Sequence, residues 1–186
     1  APVWARLWKD MCVSYVVLRR LGALAALLGG TFRFGSSFIP WVEGSVPLET
    51  LYFVTDVALL FGLFAIYLAR ADRMGLLGLV GFVIAAVGQA AIIGPDHVPF
   101  GIDVYGVGVQ LIVGGLFLLG IDLVRKGAYP AWVAGFWIAV PFVSLGLGVL
   151  DPTPYGWGYF LGGILFSLGF FAAGLTLLRT TMPTRR

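Results

Sequence analysis

Six long stretches of the chain read as almost unbroken hydrocarbon, and polar residues collect in the short gaps between them. The stretches run Leu21–Trp41, Leu48–Ala69, Met74–Gly94, Asp103–Val124, Ala131–Leu150 and Trp157–Leu178. A hydrocarbon core about 30 Å thick takes roughly 20 helical residues to cross, and each stretch supplies them. None alternates apolar with polar positions, as a strand of a membrane barrel must. The pattern therefore predicts an all-α membrane protein with six transmembrane helices. Ahead of them Trp4, Leu7, Trp8, Met11, Cys12 and Tyr15 recur at helical spacing, with Arg6, Lys9, Asp10 and Ser14 on the other face. Residues 1–17 thus read as an amphipathic helix in the membrane interface, and residues 18–186 as one six-helix domain. No cleaved leader is expected, because apolar segments continue to the C-terminus.

Composition strengthens this reading. Of the 186 residues, 60% are hydrophobic and only 11% charged, where a soluble domain carries about 25% charged residues. So much apolar surface must face something other than water, and the spans leave no length for a soluble catalytic or nucleic-acid-binding domain. The net charge of +3 reports orientation. Arg6, Lys9, Arg19, Arg20, Arg70, Arg73, Arg125, Lys126, Arg179, Arg185 and Arg186 all fall on one side of the six-span arrangement, and Arg33 is the exception. The positive-inside rule then puts both termini in the cytoplasm, with a prokaryotic cytoplasmic membrane as the expected location. Glu43, Glu49, Asp96, Asp103 and Asp151 gather on the opposite side.

A repeat runs beneath the pattern. Tyr52, Tyr105 and Tyr159 open the second, fourth and sixth spans, and Arg70, Arg125 and Arg179 close them. Gly81-Phe82-Val83-Ile84-Ala85 recurs as Gly135-Phe136-Trp137-Ile138-Ala139. These spacings suggest a helical hairpin of about 54 residues used three times. Small residues at three- or four-residue spacing, among them Ala25/Gly29, Ala26/Gly30, Gly163/Ser167, Gly169/Ala173 and the stripe Gly78, Gly81, Ala85, Gly88, mark faces where helices approach closely. In lipid that approach supplies the contact that hydrophobic burial supplies in water.

Two ionisable residues lie well inside spans. Arg33 stands eight residues before the outer end of the first span and Asp56 eight residues after the outer start of the second, so both lie about 12 Å deep. An unpaired charge there is costly, and an Arg33–Asp56 ion pair is the expected solution, with Glu43 or Glu49 as other partners for Arg33. Tyr52, Glu49, Gln89 and Gln110 fall in the same outer layer and complete a candidate ligand-binding set with Arg33 and Asp56. Asp56 is expected to be the one truly buried acid, and polarity to be confined to the outer half, which disfavours a pore through all depths.

Little else carries chemistry. One histidine (His97, in an expected loop) and one cysteine (Cys12) exclude a bis-histidine haem and offer no ligand cluster for a metal, so no cofactor is expected. Lys9 and Lys126 lie at the boundary, not at mid-membrane where a retinal Schiff base forms. Hydrolase, zinc-protease and phosphate-loop motifs are absent. The sequence favours a non-enzymatic polytopic protein, an accessory or structural subunit of a larger membrane complex, with the bilayer and other membrane subunits as partners. The alternative is a transporter or receptor subunit that binds a small apolar or amphipathic molecule, or a lipid, in an outward-open site.

Overall fold

The computed structural model describes residues 3–40, 42, 44–93, 101–151 and 156–181, with side chains from Tyr15 to Thr180. It is helical throughout, with no strand among the described residues. The elements are α1 (Val3–Ser36), α2 (Val46–Leu68), α3 (Leu76–Ile92), α4 (Val104–Arg125), α5 (Ala131–Leu150) and α6 (Trp157–Thr181), with one 3-10 turn, Ala71–Arg73, between α2 and α3. Five of these, over Tyr15–Ser36 in α1 and in α2, α4, α5 and α6, are long and apolar enough to cross a membrane. This fits a polytopic membrane protein.

The third expected span is shorter than its apolar stretch. Helix α3 has 17 residues, about 25 Å, because Met74 and Gly75 are extended and the Gly75 amide is held from outside the helix. At the N-terminus, α1 runs without a break across residue 17. The side chains of the expected amphipathic face before Tyr15 lie outside the described residues, as do Trp41, Glu43, Asp96 and His97.

Successive helices pack antiparallel and the chain closes on itself, α6 lying against α1. Glycine sets the closest seams. A Cβ built on Gly62 would stand 2.6 Å from the Ala26 Cα, and one on Gly30 would meet the Phe171 amide nitrogen at 2.7 Å and the Ser167 carbonyl at 2.8 Å. So α1 is wedged between α2 and α6 with backbone nearly touching backbone. The stripe on α3 does the same against α4: Gly88 faces the Gly108 carbonyl, Gly81 the Gly115 carbonyl, and Gly115 the Ala85 amide. Between these seams sit Leu59, Leu63, Leu116, Leu119, Leu123, Trp137 and Phe170, all almost fully buried, with Trp137 edge-on to Phe170. The outward faces carry Phe61, Leu76, Phe142, Leu145 and Val149, all well exposed, as a lipid-facing surface requires.

The α2–α3 seam is the looser one. An apolar cleft of about 350 Å³ opens there, lined by Leu60 and Phe64 of α2 and by Phe82, Val83, Ala86, Val87 and Ala90 of α3.

Gly30→Ala should lower stability by about 1–3 kcal/mol, since backbone on the facing helix cannot yield as a side chain would. Gly135 of α5, whose Cβ would meet nothing within 4 Å, should accept alanine with no loss or a gain of up to about 1 kcal/mol. Thermal unfolding in detergent distinguishes the two. Equal losses would contradict the close seam between α1 and α6.

Candidate functional site

Seven polar side chains from five helices meet at the end of the bundle where α2, α4 and α6 begin. Arg33 and Ser36 come from the last turn of α1, Tyr52 and Asp56 from the first half of α2, Gln89 from the end of α3, and Tyr105 and Tyr159 from the first turns of α4 and α6. Arg33 is the centre. Its guanidinium donates to the Ser36 hydroxyl at 3.3 Å and to the Tyr159 hydroxyl at 3.3 Å, and lies 5.8 Å from the centroid of the Tyr52 ring. Tyr105 is the third phenol near it and is hydrogen-bonded to Tyr159. The three tyrosines that mark the 54-residue spacing in the sequence thus surround one cation.

The expected Arg33–Asp56 ion pair does not form. Asp56 instead accepts a bond from the Gln89 amide at 3.3 Å, while Arg33 turns toward Ser36 and α6. The two charges share a layer and remain within electrostatic reach, but each has neutral partners in direct contact. The direction in which each side chain leaves its helix, and not its position along the axis, keeps the two charges out of direct contact. Gln89 is fully buried and Tyr52 half-buried, and both belong to the cluster. Tyr52 also donates to the Ser36 carbonyl at 3.5 Å. Glu49 and Gln110 do not join it: both are exposed. Gln110 lies two turns on from Asp103, on the same face, and Asp103 faces outward, where it caps α4 by accepting from the Gly106 amide at 2.9 Å.

Arg33 is under-satisfied for a cation at this depth. A guanidinium carries five N–H donors, and among the described residues two are taken, at distances longer than the roughly 2.7–2.9 Å of charge-assisted bonds. Among the described residues no carboxylate touches it. The arrangement can therefore accept an anionic oxygen between the phenols without breaking a salt bridge. No group of three His, Cys, Asp or Glu residues able to hold a metal occurs among the described residues.

Two polar features at the opposite end were not anticipated. Asp122 is only 3% exposed, whereas Asp56, the expected buried acid, is only half-buried. The Asp122 carboxylate accepts from the Gly75 amide at 2.7 Å, which places a negative charge at the positive N-terminal end of α3. Gly78 leaves room for it, since a Cβ there would meet the carboxylate at 2.5 Å. The signal was present in the seven-residue spacing of Gly108, Gly115 and Asp122, which puts all three on the face of α4 that meets α3. The second feature is Tyr129, in the connection between α4 and α5. It is buried and donates to the Ile66 carbonyl at 3.3 Å. Burial pushes its hydroxyl up to about 12, against the opposing pull of Arg70 and Arg19.

Comparison of the chain with protein-family models, with curated proteins and with solved structures finds no match.

Asp122→Asn should destabilise the fold by about 1–3 kcal/mol, the range for losing a charged partner of a buried donor. Chemical denaturation in detergent reads the loss, and an unchanged midpoint would rule out the capping role. For Tyr129 the raised value means that the folded state holds its phenolic proton longer than the unfolded chain, whose tyrosine titrates near 10. Stability should fall as pH rises from about 10 through about 12, and Tyr129→Phe should flatten that slope. A slope identical in the two proteins would contradict the assignment.

Proposed function

We propose that this protein is a non-enzymatic, polytopic membrane protein that captures a small amphipathic anion in a site opening to the outer side. The observation that carries the reading is Arg33: an intramembrane guanidinium ringed by tyrosine and serine hydroxyls and, among the described residues, without a carboxylate in contact. An intramembrane cation kept at such cost is a functional feature by default. Were its role only to lock α1 to α2, direct pairing with Asp56 would serve better, because it would cancel both charges. Gln89 holds Asp56 apart and leaves Arg33 as the anchor for a carboxylate or phosphate.

The hydrocarbon part of such a molecule has a place nearby. Leu60, one helical turn from Asp56 on the same face of α2, and Ala90, next to Gln89, both line the apolar cleft between α2 and α3. A chain lying in that cleft would reach the polar layer at its outer end. In this reading α3 also spans the bilayer, both termini are cytoplasmic, and the three tyrosine-bearing hairpins form a pseudo-threefold ring around Arg33. The convergence of Tyr52, Tyr105 and Tyr159 supports that ring.

The other reading, an accessory subunit of a larger membrane complex, draws on α5. Phe142, Leu145, Val149 and Leu150 give its outer half a continuous apolar face, 65–82% exposed, which suits a neighbouring helix as well as lipid.

A fluorescent long-chain fatty acid tests the first reading. The native protein in detergent should bind it saturably, and Arg33→Gln should weaken binding at least about tenfold, the equivalent of about 1.4 kcal/mol, with little change in thermal stability. Binding unaffected by Arg33→Gln would overturn the proposal. So would a fold that Arg33→Gln disrupts and the double variant with Asp56→Asn restores, since that pattern belongs to a structural pair.

A further inference from the structure

The opposite end of the bundle holds a second arrangement of arginines that the outer site does not use. Arg19 lies one turn before Ala23 on α1, and Arg70 directly follows Ala69 at the end of α2. Ala23, Ala65, Ala69 and Leu177 form one small buried cluster, so the two arginines emerge side by side beneath it, although they stand 51 positions apart in sequence. The α4–α5 connection closes the third side. The Arg70 Nε donates to the Ala128 carbonyl at 3.2 Å and its guanidinium lies 5.8 Å from the Tyr129 ring centroid. Tyr129 is in turn pinned to α2 through the Ile66 carbonyl.

Beyond the Ala128 carbonyl, the N–H groups of these arginines find no acceptor among the described residues. The Arg19 Nε is buried with no hydrogen-bond partner among the described residues, a group that native proteins rarely leave unpaired. The Arg19 guanidinium has Tyr15, 5.5 Å from the ring centroid, as its neighbour. The terminal nitrogens of Arg70 have no acceptor among the described residues, and no described carboxylate contacts either side chain. Positive-inside sorting requires arginines near this membrane surface. It does not require two from different helices to stand within electrostatic reach of one buried tyrosine, Tyr129, with a buried N–H left unmet.

We infer that Arg19, Arg70 and the Tyr129 corner form a binding site for the phosphate of an anionic lipid headgroup in the leaflet at the arginine-bearing end. The chemistry matches on three counts. Planar guanidiniums bind phosphate oxygens through paired N–H groups. The position is interfacial, since Arg19 lies just inside the start of the first apolar segment, Tyr15–Ser36, and Arg70 just beyond the end of α2. On the positive-inside orientation this is the cytoplasmic leaflet, where basic pockets between transmembrane helices hold anionic headgroups.

The test compares lipid retention by native mass spectrometry on the full chain, purified and then supplied with phosphatidylglycerol, with phosphatidylcholine, or with inorganic phosphate alone. The wild-type protein should retain phosphatidylglycerol at least about tenfold over phosphatidylcholine and show no comparable adduct with inorganic phosphate. Arg19→Gln and Arg70→Gln should each lower that retention several-fold. Arg73→Gln, an exposed arginine on the neighbouring 3-10 turn, should leave it within about twofold. If a glutamine variant does not fold, Arg19→Lys keeps the charge but loses the paired N–H geometry and should still reduce retention. Equal retention of both lipids by the wild type, an equal effect of Arg73→Gln, or full retention by Arg19→Lys would each overturn the site. An equal adduct with inorganic phosphate would overturn its assignment to a lipid.

Discussion

A positive charge inside an apolar helical bundle has to be kept there by its neighbours, and the polar end of this protein is organised around that requirement. Arg33 costs at least a few kcal/mol if left alone at its depth. Four helices answer it: α1 itself through Ser36, α2 through the face of Tyr52, and α4 and α6 through the joined hydroxyls of Tyr105 and Tyr159. Phenols and hydroxyls stabilise the charge without cancelling it, which separates this layer from an ordinary buried salt bridge. Asp56 lies near enough to temper the field and is held by Gln89 on α3. The result is a guanidinium whose charge no described carboxylate contacts directly.

The packing explains why that layer can be both held and open. Glycine brings α1 against α2 and α6, and α3 against α4, to backbone contact, so the helices that carry Arg33, Tyr52 and Tyr159 have little freedom to slide. The α2–α3 seam lacks such a contact and leaves the apolar cleft instead. Rigidity thus sits where the guanidinium is positioned, and looseness where hydrocarbon could enter. At the far end Asp122 fixes the start of α3 through the Gly75 amide. That bond ties α3 to α4 at the end opposite Gln89, so α3 is located at both ends even though its contact with α2 is slight.

Much of the architecture could be read from the chain, and the errors share one cause. The helix order, the glycine faces and the common layer of Arg33 and Asp56 follow from counting residues along an axis, and counting yields height. Contact also depends on rotation about the axis, which a single sequence constrains weakly where every face is apolar. Hence Gln110 was assigned to the site from its depth although its face, shared with Asp103, points outward. Tyr105 and Tyr159 were recognised as repeat markers and not as ligands of Arg33. Asp122 stands out in the sequence only through Gly115 and Gly108, seven and fourteen residues before it on the same face of α4. The start of α3 was misjudged for the same reason, since the group that ends the preceding loop belongs to another helix.

The central claim is that Arg33 is held by hydroxyls rather than by a carboxylate, and distances within the membrane-embedded protein test it most directly. Solid-state NMR with labelled arginine nitrogens, aspartate carboxyl carbons and tyrosine ring carbons measures both couplings in one sample, with Arg33→Lys identifying the signal. The account predicts close coupling of the Arg33 guanidinium to tyrosine Cζ and coupling to the Asp56 carboxyl too weak for direct contact. Strong carboxyl coupling that disappears in Asp56→Asn would show a closed ion pair, and the open anion site would be contradicted.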